Sequence, residues 1–212
     1  MGCCRPGDLD DVFGEERASA DARAYRRRGL DREARRIVDS LRDRIGGWSV
    51  LEAGGGVGAI QLELLRAGAR KATNVELSGG YEPSAAELIT EAGVADRIAR
   101  VIGDLVAEAP SLEDADVVIL HRVVCCYPDA DALVSAAARR ARHALFITVP
   151  VERWWARIAV LVFDLLLTLR GAKLRVHVHP TATIRRAAER EGLRATSRSG
   201  RLVWQLLAFE RS

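Results

Sequence analysis

A single Rossmann-like α/β domain is the fold class that these 212 residues predict, and three observations carry it. The apolar run Val50-Leu51-Glu52-Ala53 enters a glycine turn, Gly54-Gly55-Gly56-Val57-Gly58, and Ala59 to Leu65 continues at helical spacing. Strand-like and helix-like segments then alternate, the pattern of a mostly parallel sheet covered by helices. The chain ends with two strands, between Leu193 and Phe209, about the turn Arg198-Ser199-Gly200-Arg201. Residues 1–47 read as a mobile start and a helical cap. Residues 48–212 read as the ligand-binding domain, with an apolar helical insertion at about 151–178.

Taken in order, residues 1 to about 20 are polar and acidic, a composition that predicts a mobile segment. From Asp21 to Arg44 the residues Ala24, Leu30, Ala34, Ile37, Val38 and Leu41 recur on one helical side, and Gly29 is placed to divide the helix in two. This segment precedes the first strand and can fold over a pocket, where Tyr25 would offer a ring and a hydroxyl to a ligand; simple packing on the sheet is the competing reading. After the first strand and helix, Ala72 to Leu77 is the second strand, Tyr81 to Ala92 a helix opened by Pro83-Ser84, and Ile98 to Ile102 the third strand. Asp116 to Leu120, almost continuously apolar, suits a central parallel strand and delivers His121 to the rim. Arg122 to Asp129 would line the cleft as a loop or short helix. Asp131 to Arg142 is a helix, His143 to Val149 the fifth strand, and Pro180 to Arg190 the last helix.

Between the fifth strand and the last helix, Trp154 to Leu169 is nearly all apolar. As a helix it would be about 24 Å long, short of the ~30 Å hydrocarbon core. A substrate lid, a homodimer face and a helix lying on a bilayer, with Arg170, Lys173 and Arg175 beside it, all fit this pattern. His177 and His179 share one face of an extended segment, but no third metal ligand lies near them in sequence, and no metal is expected.

Composition narrows the function. Thirty-two basic side chains against 29 acidic ones leave a net charge of +3, with no basic block to meet a nucleic acid. The cysteines fall in two adjacent pairs, Cys3-Cys4 and Cys125-Cys126, matching neither a metal knuckle nor a secreted disulfide framework, so a reducing cytoplasm is expected. Pro6 stands where a myristoylation signal places Ser or Thr, and no signal-peptide core follows.

The chemistry is concentrated at the strand ends. Gly54, Gly56 and Ala59 satisfy the G-x-G-x-x-G/A pattern of dinucleotide enzymes. Glu52, two residues before the first glycine, would repel a pyrophosphate and could instead accept from an ammonium group. Glu76 closes the second strand 24 residues later, near the spacing at which nucleotide folds hold a ribose diol; capping of the next helix is its alternative role. Asp104, after the turn that ends the third strand, could accept an adenine amino proton. Leu77 and Leu105, the residues beside these two acids, complete the expected cofactor contacts.

The run Glu52, Gly54, Gly56, Gly58 resembles motif I of the class I S-adenosylmethionine (SAM) dependent methyltransferases. The likeness extends over roughly residues 48 to 212, with Glu76 and Asp104 at the matching acidic positions. It implies SAM as cofactor, a seven-stranded sheet of order 3-2-1-4-5-7-6 with an antiparallel C-terminal hairpin, and roles for Glu52, Glu76 and Asp104 at the methionine moiety, the ribose and the adenine. Arg122 to Asp129 looks most like the magnesium-protoporphyrin O-methyltransferase-like group, although Cys126 stands where that group tends to carry His. The expected activity is methyl transfer, with O-methylation favoured, to a small apolar or aromatic molecule. His121, also placed beside the cofactor, and Tyr25 are the candidate proton acceptors; for His121, a strand-end imidazole bonded to backbone is the alternative. An NAD-type oxidoreductase and a non-catalytic SAM-binding or membrane-surface protein are the rival functions.

Overall fold

The computed structural model describes residues 10–155, 160–162, 175–200 and 203–211. Seven strands form one sheet: β1 (Ser49–Ala53), β2 (Lys71–Glu76), β3 (Ile98–Ile102), β4 (Ala115–His121), β5 (Ala141–Pro150), β6 (Leu193–Ser199) and β7 (Trp204–Arg211). Their order is β3-β2-β1-β4-β5-β7-β6, and only β7 runs antiparallel to its neighbours. This is the predicted order. β1 lies between β2 and β4, so the chain crosses from one half of the sheet to the other beside the glycine turn, the place where open α/β sheets take ligands.

Side-chain alternation along the central strands divides the core into two layers. Val50, Val117, Ile119 and Phe146 pack on one face with α3 (Arg32–Leu41) and α4 (Ala59–Arg66). Leu51, Val118, Leu120 and Leu145 pack on the other with α7 (Ala130–Arg140) and α8 (Thr181–Arg190). Within α3, the expected stripe Ala34, Ile37, Val38 and Leu41 is buried. Gly29 does divide the cap, ending α2 (Glu15–Arg28) with φ of 68°.

The cap starts earlier than the sequence pattern indicates. Residues 10–20, expected to be mobile, are helical from α1 (Asp10–Phe13) into α2. They lack an apolar stripe to read: α2 buries only Ala18 and Ala22, and polar bonds dock the segment, with the Ser78 hydroxyl 2.6 Å from Asp10 Oδ1 and 2.7 Å from the Phe13 carbonyl. A further helix, α6 (Leu105–Glu108), follows Asp104, and α5 (Glu82–Ala92) lies between β2 and β3. Most of the apolar 154–169 segment lies outside the described residues; Trp154 and Leu161, which do not, are 74% and 67% exposed. Among the described residues no helix is long and apolar enough to cross a membrane. Residues 175–180 run beside the β4 exit: the His177 amide donates to the Cys125 carbonyl at 2.6 Å, and the His179 ring donates to the Tyr127 carbonyl at 2.8 Å. The two imidazoles lie 5.4 Å apart between ring centres, and among the described residues no three His, Cys, Asp or Glu side chains converge to hold a metal.

Candidate cofactor and acceptor site

A cavity of about 650 Å³ opens at the carboxyl ends of β1, β2 and β4, floored by the glycine turn and roofed by α2. Glu52, Gly54, Gly56, Glu76, Leu77, Asp104, Leu105 and His121 all border it. So does Tyr25. Gly58, grouped with them by its motif, does not: it caps α4 with φ of 81°, and its α-carbon faces Gln61 and Arg100.

The turn is held by three consecutive residues of β2. Gly54 donates its amide to the Val75 carbonyl at 2.7 Å, Gly55 to Asn74 Oδ1 at 3.1 Å, and Gly56 to Glu76 Oε2 at 2.9 Å. Arg100 of β3 donates to the Gly56 carbonyl at 2.9 Å while its Nε engages Glu82. Side chains are excluded where the turn meets its neighbours: a Cβ on Gly54 would lie 2.3 Å from Val123 Cγ2, and one on Gly56 3.0 Å from the Tyr81 ring. Both glycines have positive φ, a conformation that L residues with a β-carbon rarely adopt.

Each acid now has a defined setting. Glu52 is 1% exposed and its Oε2 has no hydrogen-bond partner. Burial pushes its carboxyl up to about 8, with Glu76 adding to the shift and Gln61 and Arg100 opposing it. Glu76 is buried and accepts from the Gly56 and Ser78 amides; burial still raises it above the ordinary carboxylate range. Asp104 caps α6 through the Val106 amide and accepts from the Tyr127 hydroxyl at 2.8 Å.

His121 has both ring nitrogens engaged. Nδ1 lies 3.1 Å from Thr148 Oγ1 on β5, and Nε2 lies 3.2 Å from Asp31 Oδ2 at the start of α3. Asp31 is held below the usual carboxylate range: burial opposes this, but the His121 ring, the Ala34 amide and Arg122 outweigh it. Arg122, the residue after His121, has φ of 60°, an uncommon value for a residue with a side chain. Its guanidinium reaches Asp31 and Glu33 and lies 4.8 Å over the Trp204 ring. Tyr25 donates its hydroxyl to Glu63 at 2.6 Å and accepts from Arg66 at 2.8 Å. Burial, then Glu63, raises the phenol well above its usual range, opposite to what a proton acceptor needs.

No protein-family model matches the sequence, and no curated protein matches it. Solved structures do. Magnesium protoporphyrin IX methyltransferase from Synechocystis, with bound S-adenosylhomocysteine, is 21% identical, superposes with a TM-score of 0.73, and the match covers 96% of this chain and 98% of that one. The chain has the Rossmann-like methyltransferase fold. A putative sarcosine dimethylglycine methyltransferase from Galdieria sulphuraria matches at 15% identity and TM-score 0.69, over 93% and 98% of the two chains. An O-methyltransferase family protein from Burkholderia thailandensis matches at 21% and 0.68, over 95% of this chain and 64% of that one.

Four contributors to the site were not singled out from sequence: Asn74, Arg100, Asp31 and Tyr81. A signal existed for Asn74, which stands two residues before Glu76 and therefore on the same face of β2. Arg100 and Asp31 reach the site across 44 and 90 residues of chain, to Gly56 and His121 respectively, and no local pattern announces such contacts.

Proposed function

We propose that this chain is a SAM-dependent methyltransferase acting on a small apolar or aromatic molecule, oxygen being the favoured acceptor atom. The observation that carries the reading is the buried Glu52 carboxyl beneath the glycine turn, its Oε2 unpaired, with Glu76 and Asp104 also bordering the cavity. Acids there offer a pyrophosphate no cationic partner and suit a cationic nucleoside. The residues present fit SAM: Glu52 would hold the ammonium, Glu76 the ribose diol, Asp104 the adenine amino group, with Leu77 and Leu105 as apolar walls. Bound SAM supplies a sulfonium methyl that is already electrophilic.

What the protein adds is alignment, exclusion of water and, for a protonated nucleophile, removal of a proton. The α2 roof, with the Tyr25 ring bordering the cavity, provides the first two. Tyr25 is a positioning residue in this reading, its hydroxyl being committed to α4. The proton falls to His121, which can accept it through a nitrogen released from Asp31 or Thr148. Solved methyltransferases of this fold include an O-methyltransferase family 2 protein from Planctomyces limnophilus complexed with apigenin, which supports a small aromatic acceptor.

Calorimetry with SAM, S-adenosylhomocysteine and NAD tests the reading. Both adenosyl ligands are expected to bind more tightly than NAD, and the reverse order would overturn the assignment. Tritiated SAM incubated with a small-molecule extract then identifies the labelled acceptor.

A further inference from the structure

The environment of Glu52 has a consequence for how a ligand enters. Its carboxyl lies beneath the glycine turn, so close that a Cβ on Gly55 would stand 2.8 Å from Oε2. Glu76 faces it from β2 and Arg100 from β3; Asn74 of β2 and Gln61 of α4 add no charge, and its register partner on β4 is Ile119. Arg100 is already engaged with Glu82 and the Gly56 carbonyl. Glu52 and Glu76 are thus two buried carboxyls sharing one buried guanidinium that a third acid also holds. A carboxylate with one oxygen unpaired and no cation of its own in so dry a place takes up a proton.

We propose that Glu52 meets its ligand as a neutral carboxylic acid and releases its proton to solvent when the ligand's ammonium group arrives, making the pocket specific for ligands that carry that cation. The inference rests on the methyltransferase reading. The O–H bond of Glu52 breaks, its proton goes to buffer, and the carboxylate accepts from the ammonium. No oxidation or group transfer is involved. The raised affinity of the free carboxyl for its proton, up to about 8, agrees with the geometry. Below that pH the proton must be expelled, so affinity for an ammonium-bearing ligand falls as pH falls, approaching about tenfold per pH unit. Ligands without the ammonium leave Glu52 protonated and show no such dependence.

Titration calorimetry of the full chain, in two buffers of different ionisation enthalpy at about pH 6.5, counts the protons released. SAM and S-adenosylhomocysteine, which both carry the ammonium, are each expected to release about one proton per site, and methylthioadenosine, which lacks it, none. Glu52→Gln should abolish the release while the variant still binds. The wild-type measurement stands even if that variant does not fold. SAM binding with no proton released overturns the proposal, as does release with SAM but not with S-adenosylhomocysteine. If the adenosyl ligands do not bind at all, the methyltransferase reading itself fails, a result distinct from binding without release.

Discussion

Glu76 has its carboxylate oxygens on backbone donors before any ligand is considered, Oε2 on Gly56 at 2.9 Å and Oε1 on Ser78 at 3.2 Å. Glu76→Ala therefore removes the ribose contact and also leaves two amides of the cradle unpaired. SAM affinity is expected to drop by about 2–3 kcal/mol, ~30- to 150-fold, measured by calorimetry; an unchanged dissociation constant would place the ribose elsewhere. Glu52 gives a second residue-scale test, in stability. Its folded-state value, raised from 4.5 to about 8, lies above its unfolded one, so the contribution is fully present below pH 4.5 and lost as pH rises to about 8. The ligand-free protein should lose at most about 5 kcal/mol from this group across that window. Melting temperature followed against pH should show the decline in the wild type and a flatter profile in Glu52→Gln, and parallel profiles would contradict the buried, protonated state.

At the scale of elements, the unit that matters is β1, its glycine turn and the start of α4, braced by β2. Gly56→Val would force a branched side chain against the Tyr81 ring at a φ of 55°, on the surface where the backbone meets the ligand. Binding should be lost beyond detection in calorimetry; a folded Gly56→Val that binds normally would mean the turn is not the cradle. This element was legible because its cause is local: apolar strand, glycines and amphipathic helix follow one another, and β3 begins and ends at the expected Ile98 and Ile102. The acids were legible for the same reason, since a strand's end fixes where its last side chain stands. The cap was only half legible. α3 carries an apolar stripe, whereas α2 is docked by Tyr81 to Asp21, by Tyr25 to Glu63, and by Arg26 to Glu87 and Glu91, pairings that no period in the sequence displays. The Tyr25 hydroxyl has its partners, Glu63 and Arg66, on α4, a long-range pairing that the sequence around Tyr25 does not display.

For the whole molecule, the decisive junction is where the cap meets the sheet. Asp31 does two things there: Oδ1 caps α3 by accepting from Glu33 and Ala34, and Oδ2 lies beside His121 and Arg122 at the end of β4. Its carboxyl is depressed below the usual range, so the contribution is present above the unfolded value and lost only under strongly acidic conditions; at neutral pH the tie is intact. Asp31→Ala removes both functions. The lost cap alone costs about 0.5–2 kcal/mol, which for a chain of this length lowers the melting temperature by roughly 1–8 °C. Asp31→Asn retains an oxygen for the cap and removes the charge facing His121 and Arg122, a partly exposed pair worth at most about 1 kcal/mol to stability. Its melting temperature should stay within about 4 °C of the wild type, while cleavage near Gly29 by a protease and dissociation of SAM in stopped flow should both become faster. That separation is the test of the junction. If Asp31→Asn releases SAM at the wild-type rate and resists the protease equally well, the cap is held by α3 packing alone, and the contact between Asp31 and His121 does not govern access to the cavity.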